Sequence, residues 1–181
     1  MDVVELDPAV TRLARAWFAY GLRAEWPAIR VTHEDARVFP RRNEGRYDVV
    51  LVDVFDHLLT VPWTMVTVEA LTTIRERLAP AGFVIVNVLT PLDGSGVGFL
   101  QRFLATAQQV FPVVRAYPVE TDVAPGATRN VLLVAAASAG TLPRVAWPEV
   151  GWGPAGRPLI DAHAPVEYLP AKVFWEGLAW R

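Results

Sequence analysis

The chain has 181 residues, 52% of them hydrophobic, enough for one well-buried core with a tail. Its 17 basic and 19 acidic residues are spread along the chain and leave a net charge of −2, which argues against nucleic acid or an anionic membrane surface as the main partner. With no cysteine, disulfides, thiolate metal sites and a cysteine nucleophile are all excluded, and no apolar run approaches the roughly 20 residues of a bilayer span. A soluble cytoplasmic protein is the expectation.

The first element is a short β-branched run, Val3 to Leu6, which predicts a strand. Residues Ala9 to Tyr20 put Val10, Leu13, Ala14, Trp17 and Phe18 on one face and predict a helix, opened by Asp7 and Pro8 and stopped by Gly21. A second strand is expected at Ile29 to Thr32. The stretch "ARVFPRRNEGR" after it is too short and broken for a crossover helix and reads as one turn and a loop. Strands at Val49 to Val52 and Phe83 to Val88 flank a helix expected from Thr64 to Leu78 and stopped by "APAG". All four strands are unbroken enough to be buried on both faces, as in a parallel sheet. A further helix is predicted from Gly98 to Val110, ended by Pro112. Then "VVRAYPV" and "RNVLLVAA" read as an antiparallel pair joined by "ETDVAPGAT". The pattern specifies an α/β fold, a Rossmann-like, doubly wound open sheet, mostly parallel and closed off by an antiparallel pair.

From about Ser138 the character changes. The last 44 residues hold six of the 15 prolines and four of the seven tryptophans. We expect a domain over residues 1–137 and an extension over 138–181 that packs on it and ends in a short helix near Ala171 to Trp180.

In open α/β sheets ligands sit beyond the carboxyl ends of the strands. Acids fall at three such ends: Glu5 and Asp7, then Asp35, then Asp53 with Asp56. Asp7 before Pro8 also suits a helix N-cap. Glu5 lies in an apolar run where an unpaired carboxylate is costly, and a carboxylate at a strand end can accept two hydrogen bonds from a ribose diol. Asp35 can either cap a turn or bind. His57 after the third strand reads as a surface or turn residue.

The segments "VVELDPAV", "HEDARVF", "YDVVLVDVFD" and "LAPAGFVIVNV", in this order, resemble the S-adenosylmethionine-dependent methyltransferase fold. The "DVFD" motif points to its spermidine synthase-like, polyamine aminopropyltransferase branch. The resemblance runs from Asp2 to Ala136, and "DAHAPVEYL" is similar to a tail of bacterial members. It implies transfer of an aminopropyl group from decarboxylated S-adenosylmethionine to an amine, with no metal. By position it implies that Glu5 holds the ribose hydroxyls, with Asp7 beside it, and that Asp35 and Ala36 contact the adenine. It implies Asp53 as base near the attacking amine, Asp56 as anchor for an ammonium group, and Asn87 in the substrate pocket, where the family commonly has glutamine.

Several departures accompany the match. The family's first strand and glycine-rich loop would precede "VVELD", where only Met1 and Asp2 stand; "GSGVG" follows a later strand and lacks the context of a nucleotide loop. The family's amino-terminal hairpin domain is not seen, and "TDVAPGAT" has no tyrosine where the family's pocket segment carries one. The expectation is an amino-terminally shortened fold whose unpaired strand edges favour association as a homodimer. Three readings follow: an aminopropyltransferase-like protein, weak or inactive in this short form; a small-molecule methyltransferase using S-adenosylmethionine; or a non-catalytic binding or assembly domain. The expected ligands are nucleosides and small amines.

Overall fold

The computed structural model of the chain describes residues 1–20, 28–55, 61–120, 122, 124, 126–142, 145–151 and 153–166. It divides into two compact units, Met1–Glu44 and Gly45–Arg181.

In the first unit β1 (Asp2–Glu5) and β2 (Arg30–His33) pair in parallel, with Val3 opposite Val31 and Glu5 opposite His33. Between them runs α1 (Pro8–Phe18). Asp7 opens it: its carboxylate accepts from the Ala9 N–H at 2.7 Å, while Pro8 sits where a backbone donor has no partner to lose. The helix stops at Ala19, which adopts the left-handed conformation (φ 52°) and returns its N–H to the Ala14 carbonyl. An L-residue there costs about 1–2 kcal/mol. The expected stop, Gly21, lies outside the described residues. The apolar stripe read from the sequence is on α1, yet Thr11 is the buried residue of this helix; Val10, Leu13, Trp17 and Phe18 are 49–78% exposed. After β2, α2 (Phe39–Arg42) is the single turn expected of "ARVFPRRNEGR".

The second unit carries β3 (Tyr47–Val52), α3 (Val68–Arg75), β4 (Leu78–Thr90), α4 (Val97–Val110), β5 (Val113–Pro118) and β6 (Arg129–Ala136). Its sheet has the order β3-β4-β6-β5. β3 and β4 are parallel, and β6 is antiparallel to β4 and β5, so the expected pair is present and is extended by β4. One face of β4 is fully sequestered through Val84, Val86 and Val88, and Val131, Leu133, Leu71, Leu100 and Phe103 are equally buried. Burying each such side chain contributes about 1.5–3 kcal/mol. On α4, Phe99 and Phe103 stack with ring centroids 6.0 Å apart.

Two expectations are corrected. The helix read from Thr64 to Leu78 is a 3-10 turn at Trp63–Met65 followed by α3 alone, because Thr67 is a cap: its hydroxyl accepts from the Ala70 N–H. Leu78 belongs to β4, paired with Tyr47, and "APAG" lies inside that strand. The register shifts there, with four residues of β4 set against one of β3. Gly82 marks the close approach: a Cβ at this position would stand 2.7 Å from the Tyr47 carbonyl oxygen. Burial on both faces also fails at β3, where Val49 and Leu51 are 47% and 64% exposed while Val52 is buried. Those two share the sheet face opposite the one held by Val52, since side chains alternate along a strand.

The segment after β6 is fastened to this unit by a series of hydrogen bonds, of which three reach β5, α4 and the start of α3. The Val150 N–H donates to the Ala116 carbonyl on β5, the Leu159 N–H to the Thr106 hydroxyl on α4, and the Thr67 hydroxyl to the Asp161 carboxylate at 2.6 Å. The helix expected near Ala171 to Trp180 lies outside the described residues.

Candidate functional site

The first unit gathers acids at the carboxyl ends of its two strands. Glu5 is the last residue of β1, half-buried, and its Oε1 accepts from the Asp7 N–H at 2.9 Å. Asp7 is committed to the α1 N-cap. Asp35 stands two residues beyond β2 and is exposed; its Oδ1 accepts from the Arg37 N–H, and its carbonyl accepts from the Val38 and Phe39 N–H groups. This folds the chain back immediately after Ala36. The Glu34 N–H donates to the Glu5 carbonyl at 3.2 Å, which fixes the two strand ends side by side. Parallel pairing therefore brings Glu5, Asp35 and Ala36 to one end of one small sheet. His33, which the sequence did not single out, is the register partner of Glu5, and its Nε2 lies 3.1 Å from the Thr11 hydroxyl. Its signal was its place two residues before Asp35.

In the second unit Asp53 follows β3 directly and is exposed. The parallel register sets Val52 beside Val86, so Asp53 comes level with Asn87, whose Nδ2 donates to the Asp53 Oδ1 at 3.0 Å. Among the described residues the other carboxylate oxygen has no hydrogen-bond partner, and the bond fixes the amide orientation. With the amide so turned, the Asn87 Oδ1 is buried with no hydrogen-bond partner among the described residues. Further along the same row, Asn87 is opposite Leu132, and Leu132 opposite Tyr117, two strands and roughly 10 Å from Asn87. Burial pushes the Tyr117 phenol above its ordinary value; the Glu149 carboxylate acts in the same direction and the Arg115 guanidinium against it. Asp56 and His57 lie outside the described residues, as do Thr121, Val123 and Pro125 of the "TDVAPGAT" segment. Among the described residues no three His, Asp or Glu side chains are grouped to hold a metal ion, and no helix is long and apolar enough to cross a membrane.

Open sheets with acids at the carboxyl ends of parallel strands, and an antiparallel strand last in the chain, are features of the methyltransferase-type α/β fold. In fold the chain is similar to human methyltransferase-like protein 13 in complex with SAH, with a TM-score of 0.57 and 24% identity, covering 74% of this chain and 59% of that one. Within that class its sequence is similar to proteins named polyamine aminopropyltransferases. It is 36% identical over 94 residues to a protein of Bifidobacterium longum named a probable polyamine aminopropyl transferase, covering 51% of this chain and 20% of that protein. The crystal structure of a probable spermidine synthase from Corynebacterium glutamicum matches with a TM-score of 0.63 and 28% identity, covering 76% of this chain and 47% of that one. The chain thus spans less than half the length of these two relatives. No family model matches it.

Proposed function

We propose that the chain is the nucleoside- and amine-binding part of a polyamine aminopropyltransferase, whose co-substrate is decarboxylated S-adenosylmethionine or a close relative of it. The observation that carries this reading is the Asp53–Asn87 hydrogen bond at the carboxyl end of β3 and β4, in a chain that resembles aminopropyltransferases. In the proposed reaction the amine nitrogen attacks the aminopropyl carbon next to the sulfonium. The carbon–sulfur bond breaks, methylthioadenosine leaves with the electron pair on sulfur, and the amine proton passes to Asp53. Near neutral pH an aliphatic amine is mostly protonated, so a carboxylate that holds the cation and accepts its proton makes the lone pair available. Asn87 is proposed to aim Asp53 and to face the amine, and Asp56 to hold a second ammonium group. Glu5 is proposed as the acceptor of the ribose hydroxyls, with Asp7 rigidifying its turn; Asp35 and Ala36 are proposed to meet the adenine.

We take residues 1–137 as the domain that does this and 138–181 as an extension packed on it, in a cytoplasmic homodimer. The exposed apolar residues of α1 support association, because monomers rarely leave such a stripe uncovered. The test is calorimetric titration of the chain with methylthioadenosine and with decarboxylated S-adenosylmethionine. Binding is expected to fall more than tenfold in Glu5→Ala and Asp35→Ala. In Asn87→Ala, nucleoside binding should persist while an added diamine no longer binds. Absence of heat with both nucleosides refutes the reading for this chain.

A further inference from the structure

Arg129 opens β6, opposite Thr90 at the carboxyl end of β4, and is 8% exposed. Its Nη2 donates to the Ala124 carbonyl at 3.2 Å, and its buried Nε has no acceptor among the described residues. Two carboxylates of the adjoining loops have partners of their own, and among the described residues no ion pair joins a carboxylate to Arg129. Asp93 accepts from the Gly126 N–H, and the Glu120 Oε2 accepts from the Asn130 N–H at 3.3 Å. A buried guanidinium without a counter-charge is costly, and neither Thr90 opposite it nor Asn130 and Val131 beside it on β6 carries a negative charge. Guanidinium is always charged, and its Nε–H and Nη–H donors form a flat fork that matches an oxyanion. Thr90 is on the same strand pair and is itself buried, so the site lies in the sheet end where open α/β folds take their ligands.

We infer that Arg129 is the anchor of a small-oxyanion site at the carboxyl end of the β4–β6 pair, taking a carboxylate or phosphate group. Side chains alternate along a strand, so Arg129, level with Thr90, points to the sheet face opposite Asn87. The site is therefore distinct from the Asp53–Asn87 pair and does not depend on that pair's proposed role. A ligand for it carries a negative group, which separates it chemically from a diamine.

The test uses the full chain and its thermal midpoint in sodium acetate, sodium phosphate or sodium chloride at equal ionic strength. The midpoint is expected to rise with acetate or phosphate relative to chloride; acetate alone identifies a carboxylate site and phosphate alone a phosphate site. Arg129→Met removes the charge at similar bulk and is expected to raise the midpoint in chloride while abolishing the anion-dependent rise. Arg129→Lys keeps the charge without the fork, and should fold with the rise reduced. A wild-type midpoint equal in all three salts overturns the inference, as does an anion-dependent rise that survives in Arg129→Met.

Discussion

Tyr117 and Asn87 share one cross-strand row, and each is a polar group that the sheet only partly accommodates. For Tyr117 the effect is read through pH. Its folded-state pKa lies above the unfolded 10.0, so the native chain holds the phenol proton more tightly. The stability this contributes is complete below pH 10 and is lost as the pH climbs through the folded value. Urea unfolding at pH 9 and pH 11 should show a larger fall for wild type than for Tyr117→Phe; equal falls would remove the assignment. At this scale the placement of the acids in the fold was legible. Carboxylates ending apolar runs stand out in a sequence, and Glu5, Asp35 and Asp53 all fall at strand ends. The Asp53–Asn87 bond was not legible, because it depends on the register of two strands whose partners are 34 residues apart. Arg129 was missed for a similar reason: a charged residue opening a strand looks like a solvated end until its partners are counted.

Among the elements, α4 is the one whose apolar pattern and packing agree throughout. Phe99, Leu100, Phe103, Leu104, Ala107 and Val110 follow helical spacing and all are buried. Phe103→Ala should therefore destabilise the chain by about 3–5 kcal/mol, measured as a shift of the urea midpoint at unchanged slope. A loss below about 1 kcal/mol would mean that α4 is not seated on the sheet as described. The start of α3 was hidden because Thr67, a threonine among apolar residues, reads equally as helix interior; only its hydroxyl bond to Ala70 identifies it as a cap. The true start of β4 was hidden by "APAG", since proline and glycine usually end a pattern, and here they form the irregularity within a strand.

For the whole molecule, the sequence showed the strand and helix order and the antiparallel finish, because each of these is a local periodicity. It did not show which apolar faces stay uncovered, since exposure depends on what packs against an element rather than on its own pattern. The residues concerned, Val49, Leu51 and the α1 stripe, carry the proposed homodimer to a direct test. Light scattering at micromolar concentration is expected to give twice the 20.0 kDa chain mass, and a monomer mass would rule the dimer out. The fastening of the tail has a consequence for synthesis. Thr67 waits for Asp161, a residue 94 positions later, and Leu159 must reach Thr106. Bonds of this reach delay completion of a core, as loops must close before the contacts reward them. On the ribosome the β3–β4 half of the second unit thus emerges well before the residues that complete its packing, and its apolar surface stays uncovered for that interval.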